Sequence, residues 1–148
     1  MPRIVRSAEV AWEGSIARGS GVATASSSGA FTLPISLPSR IGNPGGETSP
    51  EELLAAAHAG CFATSLGGEI ARAGGTVVQL EVRCTVTMDE VEGKGHQVVS
   101  SELDATAHAE GIDEDTFARA AEAADAGCSF SSLLRASASV SVSARLAP

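Results

Sequence analysis

Residues 49–75 read SPEELLAAAHAGCFATSLGGEIARAGG, and the architecture turns on this stretch. Ser49 can cap a helix. Pro50 suits the first helical position, where a backbone N–H would have no intrahelical acceptor. Glu52 stands three residues after the cap. The run that follows is small and apolar on almost every side, which predicts a helix buried around most of its circumference. Gly74-Gly75 supplies its stop signal. On the N-terminal side, Val10 and Trp12 alternate with polar neighbours, Glu13-Gly14 begins a turn region, and residues 22–26 read as a returning strand. A Ser/Gly turn and a short stretch around Phe31-Thr32-Leu33 follow. Residues 37–47 are rich in Pro and Gly and read as a loop, the kind of segment that carries functional groups on a rigid scaffold. On the C-terminal side, Val78, Leu80, Val82, Cys84, Val86 and Met88 alternate cleanly, and residues 99–108 less so. The charged segment 89–95 between them reads as a hairpin loop, giving two long antiparallel strands. Asp113 caps a second helix over about residues 114–126, closed by Gly127 and followed at once by Cys128. After SFSSLL, residues 136–146 alternate Ala/Val with Ser as a final strand. With no internal repeat and no linker, residues 1–148 are expected to form one domain of α+β class.

Composition narrows the function. The chain has 148 residues, 43% of them hydrophobic, enough for a sizeable core. Ten Lys and Arg against 18 Asp and Glu give a net charge of −8, which repels phosphate backbones and anionic membrane surfaces. Aromatics are 3% with no Tyr, so base-stacking platforms are not expected either. These features exclude nucleic acid and membrane as partners and favour a small molecule or a protein. No apolar run reaches the length of a membrane span, and MPRIVRSAEV lacks the apolar stretch of a secretion signal, so the expected location is the cytoplasm.

The three cysteines, Cys61, Cys84 and Cys128, fit a structural disulfide framework poorly. Cys61 lies within the predicted helix, three residues after His58 and on the same face, with Gly60 and nearby alanines leaving room for a ligand. It is either a small core residue or a reactive thiol. Cys128 lies where one helix ends and a short one can begin, and N–H groups at a helix start stabilise a thiolate. Cys84 faces the same side of its strand as Val82 and Val86 and reads as an inert buried thiol. Metal binding is set aside, because CxxC and HxxxH spacings are absent.

Taken together, TSPEELLAAAHAGCF (48–62), Gly127-Cys128 and VAWEGSIARGSG (10–21) resemble the OsmC/Ohr superfamily of osmotically inducible and organic hydroperoxide resistance proteins, most closely its OsmC branch. The resemblance spans essentially the whole chain. It implies an OsmC-like α+β fold of antiparallel sheets with a buried central helix, in an intertwined homodimer with two active sites at the subunit interface. It implies a thiol peroxidase without metal, flavin or haem that reduces organic hydroperoxides to alcohols in stress defence. The peroxidatic cysteine of the pattern falls on Cys61 and the resolving cysteine on Cys128. The family's glutamate falls on Glu51, and its arginine on Arg40 in LPSRIGNPGG, with Arg18 in IARGSG as the second candidate. The implied reductant is a dithiol on a lipoylated protein. The family often carries Pro after the resolving cysteine, where this chain has Ser129-Phe130.

These residues suit the chemistry. A guanidinium beside Cys61 would favour its thiolate over a free thiol of pKa about 8.5, and would stabilise negative charge on the peroxide as it is cleaved. Glu51 could hold that guanidinium through a bidentate pair. Glu51 and Cys61 are ten positions apart on one helix, about 15 Å along its axis. They can serve one site only if the arginine bridges them or if they come from different chains. His58 is expected as a packed, hydrogen-bonded neighbour rather than a base. A non-enzymatic binder of apolar metabolites and a thiol redox sensor are the alternative functions.

Overall fold

A computed structural model describes the chain from Met1 to Pro148. The residues group into two compact units, Met1–Pro50 and Glu51–Pro148.

The first unit is a three-stranded antiparallel sheet of β1 (Glu9–Glu13), β2 (Ser20–Thr24) and β3 (Thr32–Ile35), in that order. Trp12 pairs with Gly21 across β1 and β2. A Cβ on Gly21 would lie 2.7 Å from the indole ring, so the ring can lie against the neighbouring strand only because glycine stands there. The expected loop after β3 contains a short helix, α1 (Leu37–Ile41). Ser36 caps it by accepting the Ser39 N–H at 3.3 Å, and it donates to the Glu47 carboxylate at 2.6 Å. These local bonds make one helical turn in a segment whose Pro and Gly content suggests none.

The second unit begins with the predicted helix, α2 (Pro50–Arg72). It ends as the Gly-Gly pair requires. Gly74 takes φ +91°, Gly75 N–H bonds the Ile70 carbonyl at 2.9 Å and Gly74 N–H bonds that of Ala71 at 3.0 Å. This is the left-handed C-terminal cap that glycine permits. Two long strands follow, β4 (Thr76–Val91) and β5 (Gly95–Glu110), paired antiparallel. The hairpin is tighter than expected, because both strands run into segment 89–95 and only Glu92–Lys94 turn, with Gly93 at φ +77°. Then come α3 (Glu114–Gly127), capped by Asp113 as predicted, α4 (Ser129–Arg135) and β6 (Ser139–Leu146).

Three expectations need correction. The second sheet is not wholly antiparallel: its order is β4-β5-β6, and β6 lies parallel to β5 because α3 and α4 together form a crossover between them. The inward register of β4 also breaks at its start. The pairing slips between Val77 and Gln79, so Val77 packs on the core while Val78 is 65% exposed. One extra residue exchanges faces, as a bulge must. Finally, α2 buries a single stripe, His58, Phe62, Leu66 and Ile70, at i, i+4 spacing, while Glu52, Ala56, Gly60 and Thr64 are exposed within the chain. The stripe meets Leu103, Ala105 and Ala107 of β5 and Phe117, Ala121 and Ala124 of α3 in one apolar core. That core fixes the helix face from which His58 and Cys61 project.

Candidate active site

Cys61 sits in the middle of α2 at the margin of the buried stripe, half-buried. Cys128 is the hinge residue between α3 and α4, at once the C-cap of one and the N-cap of the other, and only 1% exposed. One turn beyond Cys61, Ser65 donates to the Ala124 carbonyl in the last turn of α3 at 2.8 Å. That bond ties the end of α3 to α2 and brings the α3–α4 corner over Cys61. The two thiols are both reduced, and each is near enough to influence the other's ionisation.

The surroundings of the two sulfurs differ. At Cys61, burial pushes the pKa up, and contact with the Cys128 sulfur pushes it further. The amides of Phe130 and Ser129 pull the other way without prevailing. At Cys128, burial also opposes ionisation, but the amide and hydroxyl of Ser131, the Cys61 thiol and the Phe130 amide together outweigh it, and the pKa falls. Cys128 is the N-cap of α4, and its side chain makes no capping hydrogen bond there. Within this unit Cys128 therefore ionises more readily than Cys61. Protons leave such a pair in coupled steps.

Behind Cys128 lies a buried polar string that the sequence did not announce. His58 is fully buried, with Nδ1 2.6 Å from Ser101 Oγ and Nε2 2.8 Å from Ser131 Oγ. Ser101 and Ser131 are also fully buried, and Ser101 Oγ is 3.2 Å from Cys84 Sγ. The expectation of a packed, hydrogen-bonded His58 holds, and burial lowers its pKa, keeping it neutral. Cys84 is half-buried rather than enclosed, and its pKa is raised by burial. Two signals could have revealed the serines. Ser101 shares the inward face of β5 with Leu103, Ala105 and Ala107, where an unexplained hydroxyl is out of place. Ser131 follows the N-cap Cys128 by three residues, the position that reaches back to a cap.

Arg40 and Arg18 belong to the first unit, and Glu51 opens the second. Arg40 is in the last turn of α1, not in a loop. It borders a cavity of about 280 Å³ walled by Val10, Trp12, Ile16, Ile35 and Leu37. Arg18 lies in the β1–β2 connection, its backbone N–H bonded to Ser15 Oγ at 3.2 Å. Glu51 is in the first turn of α2 and borders an open groove of about 330 Å³ with Ala55, Arg83 and Cys84. Because α2 is one continuous helix, Glu51 and Cys61 of the same chain remain about 15 Å apart along its axis. No helix is long and apolar enough to cross a membrane.

Comparisons with known proteins agree with this architecture. A family model described as OsmC-like protein matches residues 43–143. Peroxiredoxin OsmC of Escherichia coli (strain K12) is 34% identical over 125 residues, spanning 84% of this chain and 86% of that protein. An organic hydroperoxide resistance protein OsmC from Legionella pneumophila is similar in structure with a TM-score of 0.73 at 20% identity, over 99% of this chain and 100% of that one. OhrB of Bacillus subtilis, an organic hydroperoxide resistance protein, gives 0.72 at 22% identity, over 93% of this chain and 97% of that one. At these identities the two structural likenesses establish the α+β fold.

Proposed function

This chain belongs to the OsmC-like family, and from that premise we propose that it is a thiol peroxidase reducing organic hydroperoxides to alcohols through a Cys61 sulfenic acid and a Cys61–Cys128 disulfide. The observation that carries the reading is the proximity of Cys61 and Cys128, two reduced thiols near enough to shift each other's ionisation.

Access supports the proposed roles. An oxidant reaches half-buried Cys61 before Cys128, which is only 1% exposed. Cys128, with its lowered pKa, is the proposed base beside it once ionised. As the Cys61 sulfur attacks, its proton passes to Cys128, an S–O bond forms and the peroxide O–O bond breaks. The departing alkoxide takes up that proton as alcohol, leaving Cys61 oxidised to sulfenic acid. Cys128, again a thiolate, then attacks the Cys61 sulfur. The S–S bond forms, the S–O bond breaks, and hydroxide leaves with a solvent proton as water. A dithiol, proposed to be carried by a lipoylated protein, reduces the disulfide.

Arg40 is the proposed cation that stabilises charge on the cleaved peroxide, with Arg18 as the alternative. Glu51 is the proposed carboxylate that holds it, within the chain or across a homodimer. The small and apolar side chains around Cys61 on α2 support a substrate with a hydrocarbon tail. The proposed setting is stress defence in the cytoplasm, with the second subunit as the only macromolecular partner besides the reductant.

The test is peroxide consumption with dithiothreitol or dihydrolipoamide as reductant. Multiple turnovers of an organic hydroperoxide, abolished by Cys61→Ser, support the reading. Oxidation that stops after one equivalent favours a redox sensor, and no oxidation at all favours a binding protein.

A further inference from the structure

Cys84 takes no part in the cycle proposed for Cys61 and Cys128, yet it is the outlet of a buried polar cluster. His58, Ser101 and Ser131 are each fully buried, whereas Cys84 is only half-buried. Its sulfur lies 3.2 Å from Ser101 Oγ and 3.7 Å from His58 Nδ1. Ser101 Oγ bridges the two, 2.6 Å from the same nitrogen, and Ser131 Oγ holds the far side of the ring, 2.8 Å from Nε2. A thiol, an imidazole within reach and a third group that fixes the ring are the parts of an activated nucleophile.

The thiol opens on a groove. Between the first turns of α2 and strand β4 lies a space of about 330 Å³, bordered by Glu51, Glu52, Ala55, Arg83, Cys84 and Val86. A space of that size takes a small molecule. Beside the thiol its walls are the small and apolar Ala55 and Val86, and its rim carries both signs of charge, carboxylates on α2 and a guanidinium on β4. That combination fits a zwitterion, with an ammonium for Glu52 and a carboxylate for Arg83. A small zwitterion that also accepts a thiol's electrons is the disulfide of a thiol-bearing amino acid, such as cystine.

We propose that Cys84 is a second reactive thiol, which exchanges with the disulfide of a small zwitterionic thiol bound in the groove between α2 and β4 and keeps one half of it as a mixed disulfide. The Cys84 sulfur attacks one sulfur of the bound disulfide. A new S–S bond forms, the old one breaks, and the displaced thiolate takes up the Cys84 proton and leaves as thiol. Cys84 is thereby oxidised and the departing sulfur reduced. His58 assists in either tautomer. A bare Nδ1 accepts the thiol proton, directly or through Ser101, and an Nδ1–H donates to the sulfur as charge develops on it.

The test needs no peroxide, so its failure and that of the proposed activity are separable. The reduced full chain is treated with cystine or with bis(2-hydroxyethyl) disulfide, which carries no charge, and the mixed disulfide is counted at Cys84 alone by peptide mass spectrometry. Dividing each rate by that of the urea-unfolded chain removes the intrinsic reactivity of the reagent. On this scale cystine is expected to react at Cys84 at least about fivefold faster than the uncharged disulfide, the combined effect of two exposed charge contacts. Arg83→Gln is expected to abolish that preference. His58→Leu, which can neither take nor give a proton, is expected to slow exchange at Cys84 at least about tenfold with both reagents, and Ser101→Ala to fall between it and the parent. Circular dichroism establishes that each variant is folded. A Cys84 that stays reduced until the chain unfolds overturns the inference, as does labelling of the parent with no preference for cystine. Folded His58→Leu and Ser101→Ala proteins that react as the parent does also overturn it, since the thiol is then merely accessible.

Discussion

Removing Cys128 should make Cys61 more reactive toward an alkylating agent, not less. Two of the influences that raise the Cys61 pKa come from the neighbouring Cys128 sulfur, one of them the charge that sulfur carries once ionised. In Cys128→Ser the charge disappears, while the amides of Ser129 and Phe130 remain in the backbone. Sulfurs in hydrogen-bond contact are about 4 Å apart. Two unit charges at that distance repel by about 1 kcal/mol in water and about 4 kcal/mol at the effective dielectric of a protein surface. Even the lower figure multiplies the Cys61 thiolate fraction at neutral pH about fivefold. The assay is iodoacetamide alkylation at pH 7, followed by peptide mass spectrometry to count modification at Cys61 alone, with Cys84→Ser in both proteins to remove the third thiol. The expected result is at least about fivefold faster labelling of Cys61 in the Cys128→Ser protein. An unchanged or slower rate would refute the coupled pair and leave two thiols that merely lie near each other.

Other consequences follow from the same features. Phe62 is fully buried in the core that carries the site, so Phe62→Ala should cost about 3–5 kcal/mol of stability in urea unfolding. Stability of the reduced protein should depend on pH with a sign that each group sets. Cys128, with its lowered pKa, contributes stability that is complete above the ordinary thiol value and is lost as pH falls through the folded value. Cys61 and Cys84, with raised values, act in reverse, and stability falls as pH rises past the ordinary thiol value. His58, held neutral by burial, makes stability fall as pH drops below about 6.5, because the unfolded chain takes up the proton first. Thermal unfolding from pH 5 to 10 checks this, and the contribution of Cys128 should vanish in Cys128→Ser. Ser65→Ala should cost about 1 kcal/mol and slow disulfide formation after oxidation, since the bond to the Ala124 carbonyl holds the α3–α4 corner over Cys61.

The parts of this fold most legible in the sequence are those with local physical causes. Ser49-Pro50 and Gly74-Gly75 bracket α2, and Asp113 caps α3, because caps and left-handed glycines act within a few residues. The β4 register was harder to read. Val77 and Val78 are both apolar, and only the pairing with β5 decides which faces inward. Likewise α2 looked buried all round because alanine and glycine are indifferent to exposure. Its single buried stripe emerges only when β5 and α3 supply something to pack against. At the site, Cys61 and Cys128 stood out by residue type and context, but their contact depends on a Ser65 bond spanning two helices. Ser101 and Ser131 are not legible in the sequence, because a serine carries no signal of its own; what marks them is a histidine 43 residues from one and 73 from the other.

The most direct test of the central claim is mass spectrometry of the reduced protein after one equivalent of an organic hydroperoxide. The account predicts a Cys61–Cys128 disulfide in the parent and, in Cys128→Ser, a sulfenic acid trapped by dimedone on Cys61. Adducts confined to Cys84 or Cys128, or a parent protein whose Cys61 and Cys128 stay reduced while peroxide disappears, would contradict it.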